Sequence, residues 1–387
     1  MISTMAAEPW GGSEALWPEM AAAALRQGHQ VAVSVFRWPT VPPPVQELGR
    51  AGALVHRRRR PRFPTPDRIL TRVFGRPVRL PRPRGLPWLS SFEEIRRFAP
   101  DVVCVNQGTT YDALGHDDLL AWLYGSGLPY VVVCHSNDEL PIERIFQVGA
   151  RDLFARAARV CFVAERNRRA AERQIAASIG NACVVRNPVN LADASAVAWP
   201  GPGPVRLASV ARFDARHKAQ DVLFETLAAP GWRERDWRLS LFGRGGDEAY
   251  LRELAGHFGI AERVEFRGHV ADIRAVWRDH HLLVLPSRLE GTPISLVEAM
   301  LCARPAVATD VGGIAEWLSE PDTGFLGAAP SAASFGAALE RAWEARSEWP
   351  AIGERARAAA LLRHDPRPGE SLLRLVLDAA APGRTTP

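Results

Sequence analysis

Lysine is almost missing from this chain. Of its 48 basic side chains only Lys218 is a lysine, and all the others are arginines. Cysteine is also sparse: Cys104, Cys134, Cys161, Cys183 and Cys302 lie scattered, mostly in apolar runs, with no CxxC pair. That spacing argues against a disulfide framework or a structural zinc site and suits a reducing compartment. No run approaches the ~18 apolar residues that span a bilayer. The start, "MISTMAAEPWGG", carries neither the basic nor the apolar region of a signal peptide. A soluble cytoplasmic protein is expected, at most peripheral at the inner face of the plasma membrane. No D-x-D pair occurs either, so nothing suggests a carboxylate-held magnesium on a diphosphate, and no metal is expected.

What is present points to two domains. A chain of 387 residues exceeds what one core usually serves. Near-continuous apolar strands such as "DVVCVNQ" (101–107), "PYVVVCHS" (129–136), "WRLSLFG" (237–243) and "HLLVLPS" (281–287) alternate with helical patterns. Strands of that kind belong to parallel sheets covered on both faces. Periodicity fails and Pro and Gly concentrate near "AWPGPGP". The expected division is 1–191, a linker at 192–204, 205–365, and a C-terminal helix and tail at 366–387, the helix packing back on the first domain. Two doubly wound α/β domains would face a central cleft, with ligands at the carboxyl ends of the strands. The first strand has only "MISTM" to work with.

Several stretches could carry chemistry there. In "SRLEGTPISLVEAM" (287–300) Pro293 suits a helix start, which leaves the amides of Ile294 and Ser295 free for an anion. Glu290 precedes that helix and Glu298 lies about two turns into it, so the two carboxylates could hold hydroxyls at two depths. Thr292 lies between them. In "SVARFDARHKAQDVL" (209–223) Arg212 and Lys218 share one strand-to-helix loop, a fork and a point charge that would suit a diphosphate. Gly12, in "PWGGSEALW", allows backbone to approach a phosphate. Gly243 ends a strand, and His135 sits at the carboxyl end of another. Taken one at a time, each of these residues also has an ordinary structural reading.

In order, "ARFDARHK", "LFGRGG", "VEFRGHV", "LPSRLEGTPISLVEAM" and "ATDVGGIAE" resemble the donor domain of glycosyltransferase family 4. "GGSE" and "VVRNPVN" (184–190) are similar to parts of that family's acceptor domain. The likeness is specific over 205–318 and weak over 37–100. It implies a GT-B fold and a retaining, metal-independent transfer from a nucleotide-diphosphate sugar, UDP- or GDP-linked, to a glycan, lipid-linked or other hydroxyl acceptor. It implies no cofactor beyond that co-substrate. By resemblance Arg212 and Lys218 hold the diphosphate, Glu290 the donor sugar and Glu298 the ribose. The main chain at His269 and Val270 would meet the base, and His135 would line the sugar side. Alanine replaces the family's frequent glycine at 211, 219 and 303, and is expected to be tolerated unless those sites need positive φ.

Two rival functions share these features. A nucleotide-sugar epimerase of the same fold would use the same cleft, although the paired-glutamate helix favours transfer. A non-catalytic nucleotide-sugar or nucleic-acid binder is suggested by "HRRRRPR" (56–62), but aromatics are not interleaved with that patch as nucleic-acid binding requires. Residues 51–87 hold eleven arginines against Asp67 alone, in a chain of net charge +5, so the basicity is local. Within 57–84, Thr65-Pro66-Asp67 reads as a helix start, with an amphipathic "RILTRVF" after it. The segment is either a solvated Pro/Arg loop or an element lying on an anionic membrane.

Overall fold

The computed structural model describes residues 1–6, 9–59, 92–191 and 193–381. Its apolar runs form two parallel sheets. The first contains β1 (Ile2–Ser3), β2 (Ala32–Phe36), β3 (Leu54–Arg58), β4 (Val103–Gln107), β5 (Tyr130–Cys134), β6 (Arg159–Phe162) and β7 (Ala182–Val184), in spatial order β3-β2-β1-β4-β5-β6-β7. The second contains β8 (Val205–Val210), β9 (Trp237–Phe242), β10 (Val264–Gly268), β11 (Leu282–Leu285), β12 (Ala306–Thr309) and β13 (Phe325–Gly327), in order β10-β9-β8-β11-β12-β13. Each sheet winds outward in both directions from its first strand. A crevice therefore opens at the carboxyl ends of β1 and β4, and another at those of β8 and β11. This is the expected pair of doubly wound domains. As the short opening run suggests, β1 has two residues; Met1 extends it through its amino group, which donates to Ala32 O at 2.8 Å.

Strand β3 was not anticipated, because its buried end is an arginine. Arg58 is only 2 % exposed. Its guanidinium donates to Ser34 O and Ser34 Oγ, both at 2.7 Å, and to Ser3 O, and it stacks over Phe36 and Phe92. Five donors on a planar group can meet that many acceptors, which is what permits the burial. The basic segment expected at 57–84 is corrected here at its start: Arg57 and Arg58 belong to the sheet. Residues 60–84, with the helix start at Thr65, lie outside the described residues.

The first half of the linker expected at 192–204 is fastened to the second domain rather than free. Arg274 donates to Asp193 and to Ser195 O, Arg357 to Ala194 O, and the buried Arg304 to Val197 O and Ala198 O. At the far end of the chain the helix Pro368–Ala380 returns to the first domain and lies against the helix Leu16–Arg26, burying Leu372, Leu373 and Val376 beside Leu16 and Met20. Gly369 makes that crossing close, since a Cβ there would stand 2.6 Å from the Glu19 carbonyl carbon.

The alanines expected to be tolerated divide into two cases. Ala211 has no positive φ, but Ala219 adopts φ 53° and Ala303 φ 58°. Both therefore occupy the left-handed region that favours glycine. Ala303 closes the helix Ile294–Leu301 as a Schellman turn, with Arg304 N bonded to Ala299 O at 2.8 Å and Ala303 N to Met300 O at 2.9 Å.

Candidate active site

The loop after β8 and the loop after β11 are joined by main chain. His217 O accepts from Arg288 N at 2.8 Å and Leu289 N at 3.2 Å, and Arg288 holds Asp221. This seam brings Lys218 to Glu290, with Nζ 2.7 Å from Oε1. Ser287 Oγ donates to the same oxygen at 2.7 Å. Glu290 is 6 % exposed and Lys218 is about one-fifth exposed, so the pair is largely shielded from solvent. Beside it Asp214 accepts from Arg212 and from His217 Nδ1, each at 2.7 Å, and caps the short helix Ala215–Lys218. Burial works to raise the Asp214 carboxyl, but the bonds from His217 and the charge of Arg212 outweigh it and hold the group below its usual value.

The helix Ile294–Leu301 begins where β11's loop ends. Pro293 takes the capping position rather than the first helical turn, and Ile294 and Ser295 are half-buried behind it. Gly12, from the loop after β1, comes within van der Waals range of Ile294: a Cβ on it would lie 3.5 Å from Ile294 Cδ1. One glycine-bearing loop of the first domain thus faces the helix start of the second. Gly243 lets β9's end pass close to the loop after β8, since a Cβ there would stand 2.0 Å from Ala211 O and 3.5 Å from Arg212 Cα. His269 is exposed just beyond β10, and Val270 packs into the second core.

Some expected residues are already engaged. Glu298 is 2 % exposed, and its Oε1 accepts from Asn190 N at 2.8 Å and Asn190 Nδ2 at 2.9 Å. Burial raises its carboxyl, and the Asn190 bonds oppose this. The Thr292 hydroxyl donates across the domains to Val163 O at 2.8 Å. The domains also meet at Gly291, where a Cβ would stand 1.9 Å from His135 O. Arg166 of the first domain reaches Asp310 of the second at 2.5 Å, and its amide donates to Glu316 at 2.9 Å.

His135 is buried at 4 % exposure, and its Nε2 lies 2.8 Å from Asn106 Oδ1. Burial pushes the imidazole down to about 4, so the ring is neutral at pH 7. The structure thus gathers His135, Arg212, Lys218, Glu290, Thr292, Ile294, Ser295 and Gly12 around the facing strand ends. Sequence reasoning missed Asp214, Ser287, Asn190 and Asn106. Asp214, Asn190 and Ser287 lie within the motifs themselves, whereas Asn106 lies within a strand whose pattern gives no sign of its role.

Two family models match the chain: a glycosyl transferase 4-like domain over residues 11–188, and glycosyl transferases group 1 over residues 204–345. Over its full length the chain resembles the crystal structure of Anabaena Alr3699/HepE in complex with UDP-glucose, with a TM-score of 0.72 and 18% identity, covering 98% of each chain. The chain has the GT-B fold of glycosyltransferases. The crystal structure of a glycosyltransferase from Rickettsia africae superposes with a TM-score of 0.72 at 14% identity, covering 99% of this chain and 98% of that one. Among curated proteins, the lipopolysaccharide core biosynthesis mannosyltransferase LpsB of Rhizobium meliloti is 33% identical over 122 residues, 30% of this chain and 35% of LpsB. The alpha-D-kanosaminyltransferase of Streptomyces kanamyceticus is 32% identical over 114 residues, 29% of this chain and 30% of that enzyme. The matched stretches thus span about a third of these relatives. Among the described residues no helix is long and apolar enough to cross a membrane.

Proposed function

We propose that the protein is a retaining glycosyltransferase that moves a sugar from a nucleotide-diphosphate donor to a hydroxyl of a glycan, lipid-linked or small-molecule acceptor, without a metal. The observation that carries this reading is the Lys218–Glu290 pair, 2.7 Å apart at the strand ends of the second domain and close to the helix start that Gly12 faces. In the proposed step the sugar C1–O bond to the diphosphate breaks and an acceptor oxygen bonds to C1 on the same face. The acceptor proton leaves with the phosphate. Charge grows on the departing phosphate, and Lys218, Arg212 and the amides of Ile294 and Ser295 are preorganised to receive it. Glu290 would hold the donor sugar and Glu298 the ribose, with the base against the main chain at His269 and Val270.

A thermal-shift series with UDP-, GDP- and ADP-sugars tests the donor assignment, because a ligand of the folded state raises its melting temperature by mass action. No stabilisation by any nucleotide sugar at millimolar concentration overturns the reading. Proton NMR of the product then reads the anomeric configuration, and an unchanged rate in excess chelator is the expected result for metal independence. A cytoplasmic location and docking on anionic lipid through the basic stretch also belong to this proposal. Loss of vesicle binding on deletion of 60–84 tests the docking.

A further inference from the structure

A buried polar chain runs from the loop after β1 to His135. Glu14 is 3 % exposed and acts wholly as an acceptor: Ser3 Oγ at 2.9 Å and Asn106 Nδ2 at 3.0 Å donate to Oε1, and Trp17 Nε1 at 2.9 Å donates to Oε2. Asn106 is fully buried on β4, and its Nδ2 also donates to Ser13 O at 3.0 Å. Both neighbours of that nitrogen are acceptors, so the amide cannot be turned over without placing oxygen against oxygen. Its Oδ1 must then point at His135 Nε2, 2.8 Å away. An oxygen acceptor at that distance requires the proton on Nε2.

The other ring nitrogen follows from this. Nδ1 of His135 is buried and has no hydrogen-bond partner among the described residues, as is true of Asn187 Oδ1 and Asn167 Oδ1. The Asn187 carboxamide oxygen faces the imidazole closely enough to favour its protonated form, against the larger effect of burial, and Asn187 Nδ2 donates to Thr292 O at 3.4 Å; Asn167 gives its own Nδ2 to His135 O at 3.2 Å. The surroundings of His135 therefore hold several buried acceptors without donors, a state that costs free energy until a donor arrives.

We propose that Glu14, acting through Asn106, locks His135 in the Nε2-protonated tautomer, so that Nδ1 is kept as an acceptor for a hydroxyl of the bound sugar. Glu14 and Asn106 are positioning residues in this scheme, and the hydroxyl half of it rests on the transferase reading above. The ionised carboxylate, present above the value of about 7 to which burial pushes Glu14, is needed at 14 because an amide, like the protonated acid, would bring a donor among three donors. The substitution Glu14→Gln would leave Trp17 Nε1 facing an NH₂, or else drive Asn106 to turn and present its own NH₂ to His135. The ring would then have to carry its proton on Nδ1.

The test is made first on the protein without substrate. Long-range proton–nitrogen spectra of ¹⁵N-histidine-labelled protein at pH 8 separate the two neutral tautomers, and His135→Gln assigns the signal among the ten histidines. The wild-type ring is expected to be Nε2-protonated. In Glu14→Gln the Nδ1-protonated form should appear, and Glu14→Asp, which keeps an all-acceptor group, should restore the original signal. Turnover of the nucleotide sugar found by thermal shift should fall tenfold or more in Glu14→Gln and recover in Glu14→Asp. An Nδ1-protonated ring in the wild type overturns the proposal, as does a folded Glu14→Gln protein with an unchanged ring signal. If Glu14→Gln does not fold, the wild-type spectrum alone decides. A tautomer that shifts as expected in a protein that turns over no nucleotide sugar sinks the transferase reading and leaves the lock standing.

Discussion

Lys218 Nζ and Glu290 Oε1 stand 2.7 Å apart, and the two residues come from consecutive strand-end loops of the inner pair β8 and β11. The two groups assigned to opposite ends of the bond that breaks thus neutralise each other before any substrate arrives. Lys218→Ala is expected to lower transfer about 10²–10³-fold, the usual cost of removing one preorganised donor from a developing oxyanion. Lys218→Arg keeps the charge but replaces a compact ammonium with a planar fork, and a loss of at least tenfold is expected. Steady-state transfer assays and melting temperatures separate a lost contact from a lost fold. Full activity in the alanine variant removes Lys218 from the site.

Gly291 leaves no room for a side chain between the domains. Gly291→Ala would place a methyl 1.9 Å from His135 O and 2.8 Å from Val163 Cγ2, so the facing loops must part. A misplacement of about 1 Å at a reacting centre can cost on the order of 10²-fold, and a loss of that size is expected. Small-angle scattering should show a larger radius of gyration, while each domain keeps its helical circular dichroism.

The left-handed alanines offer a gain. At Ala303 the strain of a Cβ in this conformation is about 1–2 kcal/mol. Ala303→Gly relieves it but gives the unfolded chain more freedom, worth about 0.4–1 kcal/mol. A net stabilisation of up to about 1.6 kcal/mol is expected in urea unfolding, and Ala176→Gly, at φ 49° after the helix Glu165–Ile175, should behave alike. Ala219→Gly should stabilise similarly and leave Lys218 active. Destabilisation at all three would show that φ is not what limits them.

Glu14 and His135 should make opposing contributions to the pH dependence of stability. Burial pushes Glu14 up to about 7 from 4.5, and the bonds from Trp17, Ser3 and Asn106 only partly offset this. The folded state then holds a proton that the unfolded state has lost, so this contribution is full below 4.5 and disappears as pH rises to about 7. His135, pushed down from 6.5 to about 4, does the reverse: its contribution is full above 6.5 and disappears as pH falls to about 4. Each window is worth on the order of 3 kcal/mol, so they largely cancel in the wild type. Removing one exposes the other. Glu14→Gln should gain stability from pH 4 to 6.5, and His135→Gln should lose it from 4.5 to 7. Parallel urea midpoints for the two variants would refute the assignment.

Much of the fold was legible because buried parallel strands announce themselves as unbroken Val, Leu and Ile, as in β5 and β11. β3 escaped for the opposite reason: its buried terminus is Arg58, whose acceptors on Ser34 and Ser3 exist only once the sheet has formed. In the candidate site, the charged residues that the fold brings together could be read from their loops, as with Lys218 and Glu290. Residues whose bonds run to distant side chains could not. Asn106 lies 92 positions from Glu14 and 29 from His135, and no spacing rule joins them. The backbone at Ala219 and Ala303 misled for a local reason, since alanine is an uncommon occupant of positive φ and its presence argues for an ordinary conformation until the angle is seen.

The return of the helix Pro368–Ala380 to the first domain has a mechanical consequence. Among the described residues the chain crosses between the domains twice, once near Asn190 ahead of the anchored linker and again between the helices Trp349–Arg363 and Pro368–Ala380. A body hung from one cord can swivel about any direction, whereas one hung from two is confined to rocking about the line that joins them. Any rotation of one domain against the other must therefore be accommodated at both crossings, and parting the domains would also break the Arg166–Asp310 and Thr292–Val163 contacts.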